Sequence, residues 1–187
     1  MNRSITVLLA AFVLSPFVGH GQEKMTPARF REIVSSPGDS LPLDPKLAAA
    51  GPLWTNATVS FSLNYESGKT FQAIASASSK TLGGKYVVTT VYAPSFKQPV
   101  DTIMTYDKAV SAYRVWAVQG EAVLEGRIVY DIEKKLYAMN SAYGDGITEL
   151  GVGSYTATES TSRTWMFTNG VLFCTRESKT TPVIKSK

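Results

Sequence analysis

Cysteine and histidine are almost missing from this chain, and each scarcity removes a class of chemistry. Cys174 is the single cysteine, so no internal disulfide can form and stability has to come from packing. It sits in VLFCTR among apolar neighbours, which reads as a buried, inert thiol. His20 is the single histidine, and it falls in an N-terminal segment expected to be cleaved. The mature chain is then without an imidazole, which excludes Ser-His-Asp and Cys-His catalysis, His-ligated haem and the usual zinc sites. No metal or cofactor is expected.

Long apolar runs are also lacking after the N-terminus. Arg3 followed by Ile5 to Phe17 (ITVLLAAFVLSPF) is a basic start and an apolar stretch too short for a bilayer, which needs roughly 20 residues. Small residues at Gly19 and Gly21 precede Gln22, so residues 1-21 are expected to be a secretory signal peptide and the protein to be exported, periplasmic or secreted, with no membrane span after cleavage. The remaining 166 residues (187 minus 21) suit one domain. Removing Arg3 from 19 basic residues leaves 18 against 15 acidic ones, a net charge of +3. The basic residues are scattered, so no nucleic-acid partner is expected.

Residues 22-53 read as short helices and a linker. Thr26-Pro27 followed by Phe30, Ile33 and Val34 predicts one helix, Asp44-Pro45 to Ala50 a second, and SSPGDSLPLDP (35-45) the linker between them. From there the period changes to two: Val59, Phe61, Leu63 and Tyr65 alternate with Thr58, Ser60, Ser62 and Asn64. Turn signals recur, the sharpest being Asn169-Gly170 between WMF and VLF. Ten strands are expected near 57-65, 70-80, 85-93, 100-106, 112-118, 123-130, 136-142, 147-156, 162-168 and 171-178. The expected fold is all-β: an antiparallel meander over 54-187 that closes as a lipocalin-like barrel of about 8-10 strands.

One phrase occurs twice. TYDKAVSAYRVWAV and VYDIEKKLYAMNSA both carry Tyr-Asp, five residues, then Tyr. Each copy reads as a hairpin in which Asp107 or Asp131 starts the turn and Tyr106-Tyr113 or Tyr130-Tyr137 pair across it. The rival reading makes the two aspartates a catalytic pair of the glycosidase kind.

Gly51-Pro52-Leu53-Trp54, Leu82-Gly83-Gly84-Lys85 and Tyr106-Asp107 with Tyr113 and Trp116 together resemble the motifs of a bacterial family known as domain-of-unknown-function family 1579. The resemblance covers roughly residues 45-120. Two residues separate Gly51 from Trp54 where the family has one, and APSFKQPVDTIM replaces the Gly-rich stretch usual before Tyr-Asp. It implies a lipocalin-type barrel and no activity.

Small residues on the second strand (Ala73, Ala75, Ala77) either leave room inside a barrel or let a neighbour pack closely. Trp54, Trp116 and Trp165 are candidates to line a cavity. Arg114 shares a strand face with Trp116, and Arg163 with Trp165; if either pair points inward, its guanidinium suits a carboxylate, and the other, commoner arrangement is an outward-facing arginine stacked on its aromatic. The first functional expectation is therefore a barrel binding a small, partly apolar or acidic molecule. The alternative is a structural or interaction domain that binds another envelope protein. A hydrolase or isomerase working through Asp or Glu without His ranks third, and no catalytic residue is singled out.

Overall fold

The computed structural model describes residues 25–119, 122–142 and 146–184. The expected signal peptide lies outside them. Two short helices lead in, α1 (Pro27–Ser35) and α2 (Pro45–Ala49). Thr26 caps α1 by accepting from the Arg29 amide at 3.2 Å, and Asp44 caps α2 by accepting from Lys46 at 2.8 Å. Ten strands follow: β1 (Asn56–Tyr65), β2 (Thr70–Leu82), β3 (Tyr86–Tyr92), β4 (Val100–Asp107), β5 (Ala112–Gln119), β6 (Ala122–Asp131), β7 (Leu136–Ala142), β8 (Ile147–Tyr155), β9 (Ser160–Thr168) and β10 (Val171–Pro182). Each pairs antiparallel with its sequence neighbours, and β10 pairs with β1 from Ala57↔Pro182 to Tyr65↔Cys174, which closes the barrel.

Alternation decides what the wall presents to each side. On β1 and β2 the polar set (Thr58, Ser60, Gln72, Ser76, Ser78) is exposed, whereas the facing set (Ala57, Val59, Phe61, Leu63, Ala75, Ala77) is buried or half-buried. The second set is the lumen side. Its register carries unbroken through Tyr65, Cys174, Met166, Glu149, Ser141, Gly126, Val115, Met104 and Val87, a single row coiling round the inside from the end of β1 to the start of β3.

The two helices cover different surfaces. α1 lies on the outer wall, where Phe30 and Ile33 pack with Met25 against Tyr86, Val88, Ile103 and Trp116. Burying each of those helix side chains contributes roughly 1.5–3 kcal/mol. Lys80 fixes the helix end by donating from Nζ to the carbonyls of Val34 and Ser36, both at 2.6 Å.

α2 instead stoppers one end of the barrel. Leu47 and Ala50 pack on the lumen residues Val87 and Tyr113, with Met104, Tyr106, Ile128 and Tyr130 around them. The Tyr113 hydroxyl donates to the Lys46 carbonyl at 2.8 Å. The chain entering α2 crosses the β2–β3 turn, where Asp44 N–H donates to the Gly84 carbonyl at 2.7 Å. Gly84 has φ +62°, and a Cβ there would lie 2.5 Å from the Pro42 carbonyl oxygen, so only glycine fits.

The repeated Tyr-Asp phrase is a repeated hairpin. Both copies make four-residue loops, Asp107↔Ala112 and Asp131↔Leu136, with the last loop residue at positive φ (Ser111 50°, Lys135 54°). The aspartates accept from turn amides, Asp107 from Ala109 and Asp131 from Lys134. Tyr106 and Tyr113 meet at 5.0 Å between ring centroids, Tyr130 and Tyr137 at 5.6 Å. The two pairs also join: Tyr113 meets Tyr130 edge-on at 4.8 Å, and Tyr130 reaches Tyr155 at 6.0 Å. Five tyrosines thus form the floor of the lumen above α2.

Candidate functional site: the barrel lumen

Above the tyrosine floor, the lumen holds a cavity of about 390 Å³. Its apolar lining comes from alternate residues of successive strands, among them Val100, Val115, Ala117, Leu124, Ile128 and Met139. Pro99, in the β3–β4 loop, edges it. Phe96 of the same loop turns toward the lumen residue Phe61, with 6.0 Å between ring centroids. The size lies within the usual range of small-molecule sites, roughly 300–1,000 Å³.

Gln98, Thr102, Glu125, Arg127 and Asn140 also border the cavity, the last three from positions that alternate with the lumen set, and one cluster of polar side chains belongs to the lumen face itself. Arg176 on β10 donates from Nη2 to Glu149 Oε1 on β8 at 2.5 Å, and Ser141 on β7 donates to Glu149 Oε2 at 3.0 Å. Glu149 is 3% exposed, while the Arg176 side chain is 33% exposed and borders the cavity. Among the described residues these two are the charged side chains on the lumen face of the ten strands. Gly151, on the same face of β8 as Glu149, makes room for Met139 and Thr164: a Cβ there would sit 2.8 Å from Met139 Cγ and 3.1 Å from Thr164 Oγ1.

The residues singled out from sequence lie elsewhere. Arg114 and Trp116 are indeed neighbours, the guanidinium carbon 4.7 Å from the ring centroid, but both face outward. Arg114 is held bidentately by Glu125 at 2.8–3.0 Å, and the Trp116 indole N–H donates to the same carboxylate at 3.2 Å. A guanidinium engaged in this way on the outer wall is no lumen clamp. Arg163 and Trp165 also face outward, 5.7 Å apart, with Arg163 exposed beside Glu177 at 3.6 Å. Trp54 lies below β1 and donates to the Ala157 carbonyl at 3.3 Å.

Parity explains the displacement. A strand shifted by one residue exchanges its faces, and Arg114 and Arg163 both alternate with the lumen set. The small residues of β2 do face inward, yet Ala75 and Ala77 are buried at 2% and 8% and are not among the residues bordering the 390 Å³ cavity. They permit close packing. Asp107 and Asp131 point outward to separate partners, Arg114 at 3.9 Å and Lys134 at 3.0 Å, so they do not form a carboxylate pair.

One thiol and three phenols are shifted in the direction of the neutral form. Burial pushes the Cys174 thiol up, and it is 1% exposed. Burial and the neighbouring Tyr106 raise the Tyr113 phenol to about 12, and burial raises Tyr130 and Tyr155 as well. None of these groups is poised to exchange protons near neutrality.

A wider depression of about 740 Å³ crosses the outer wall over β1, β2, β8, β9 and β10. Its Ser60 and Ser62 lie between the exposed side chains of Ile74, Glu177 and Lys179, and Arg163 borders it as well, so it is an open surface of the outer wall. Among the described residues no group of His, Cys, Asp and Glu is placed to hold a metal, and no helix is long and apolar enough to cross a membrane.

The chain matches no family model, and no curated protein matches it. The family resemblance read from Gly51-Trp54 to Trp116 rests on those motifs alone.

Proposed function

We propose that this is an exported binding protein whose barrel holds one small, mostly apolar molecule in the lumen above the tyrosine floor. The carrying observation is the 390 Å³ cavity, where apolar lumen side chains meet the Arg176–Glu149–Ser141 cluster. Small barrels either fill their interior with side chains or hold one small ligand. Here the α2 stopper and the five tyrosines fill one end, and the space is confined to the other. That asymmetry supports a ligand site.

The reading is tested with a neutral apolar fluorophore, N-phenyl-1-naphthylamine, which brightens on leaving water. Wild-type protein is expected to bind it saturably. Ala117→Trp, which directs an indole into the cavity, is expected to abolish binding while circular dichroism stays that of the barrel. Undiminished binding by the folded variant places the site outside the lumen and overturns the reading.

A further inference from the structure

We infer that the lumen ligand carries a neutral hydrogen-bond-accepting head group, such as an amide or ester carbonyl, and that a free carboxylate is disfavoured. This rests on the lumen reading above and names the chemistry of that site.

Charge balance carries the argument. A lone lumen arginine would attract an anion, but Arg176 has its counter-charge already in Glu149 at 2.5 Å. Of the other charged residues bordering the cavity, Glu125 and Arg127 alternate with the lumen set Leu124, Gly126 and Ile128, and Glu125 is held by Arg114 on the outer face. The pair is neutral as a unit, so a bound carboxylate would add a second, uncompensated negative charge beside a carboxylate that is 4% exposed. Like charges brought together out of water repel strongly.

Hydrogen-bonding capacity points the same way. Glu149 takes one Nη of Arg176, and this is the guanidinium's single side-chain partner among the described residues. Arg176 borders the cavity, and a guanidinium carries five N–H donors. A carbonyl oxygen satisfies those donors without adding charge, and its apolar tail meets Val115, Ala117, Leu124 and Ile128. Arg176 then serves as a donor, with Glu149 setting the sign of what it accepts.

The test compares octanamide with octanoate at pH 7.5, each displacing N-phenyl-1-naphthylamine from the full protein. Octanamide is expected to displace at about tenfold lower concentration or better, the scale of a like-charge penalty in a partly buried site. In Glu149→Gln the lumen becomes cationic and the order is expected to reverse; in Arg176→Met the amide preference is expected to vanish. Octanoate displacing better from wild type overturns the inference and leaves the lumen reading standing. Equal displacement overturns it as well. If the probe itself fails to bind, both fall together.

Discussion

Arg176 and Glu149 meet at 2.5 Å across β9, one from β10 and one from β8, on the inside of the barrel. Their burial is unequal: 33% of the arginine side chain is exposed and 4% of the glutamate. The two halves of the pair therefore respond differently to mutation. Arg176→Met removes the guanidinium from a buried carboxylate and is expected to cost about 3 kcal/mol. Glu149→Gln keeps an acceptor for Ser141 and leaves an arginine able to reach water, at about 1 kcal/mol. Urea denaturation of the two variants checks the order, and a costlier Glu149→Gln would contradict it.

The tyrosine floor makes stability sensitive to alkali. Tyr113 is raised to about 12, chiefly by burial, against about 10 in an unfolded chain. Between those values the unfolded state loses the phenolic proton first, so stability is complete below pH 10 and falls as pH rises toward 12. Each such group adds a slope of up to about 1.4 kcal/mol per pH unit. Denaturation midpoints from pH 8 to 11.5 are expected to fall, and Tyr113→Phe to flatten the curve while costing about 1 kcal/mol for the lost bond to Lys46.

Gly153 faces the lumen directly across from Tyr137. A methyl there would collide with the Tyr137 ring and the Thr161 carbonyl. Gly153→Ala is expected to destabilise by about 1–3 kcal/mol, although alanine is the smallest possible addition. A neutral outcome in thermal denaturation would show that the tyrosine ring is free to move aside.

Cys174 is 1% exposed, and burial holds its thiol up. Labelling by Ellman's reagent is expected to be negligible in the native state and stoichiometric in urea, tracking global unfolding. Rapid native labelling would mean that the β9–β10 wall opens locally.

The barrel was legible because its evidence is local. Period-two alternation marks the first strand and turn residues punctuate the chain after it, and the Asn169-Gly170 hairpin forms with both residues at positive φ (49° and 79°). β10 runs past its expected end at 178 to Pro182 because pairing with the distant β1 extends it, a contact that no local pattern encodes. The helices were legible as helices. That one stoppers the lumen while the other covers the outer wall depends on packing partners far along the chain.

The site was less legible, since a strand's alternation gives two faces without saying which is inside. Arg114 and Arg163 drew attention through adjacent tryptophans, and that adjacency is real but outward. The missed signal was Cys174: a thiol expected to be buried places Arg176, two residues on, on the same inward face. Glu149 carried a similar mark, being a charge in the row Ile147, Gly151, Gly153 of otherwise uncharged alternate residues. Pairing the two required the β8–β9–β10 register.

The most direct measurement is native mass spectrometry of the protein purified gently from the cells that make it, alongside Ala117→Trp. A reproducible adduct of small-molecule mass, lost on denaturation and missing from the cavity-filled variant, is the expected result. A bare polypeptide in wild type that also fails to bind the neutral fluorophore, or an adduct that persists in Ala117→Trp, would contradict a ligand held in the lumen.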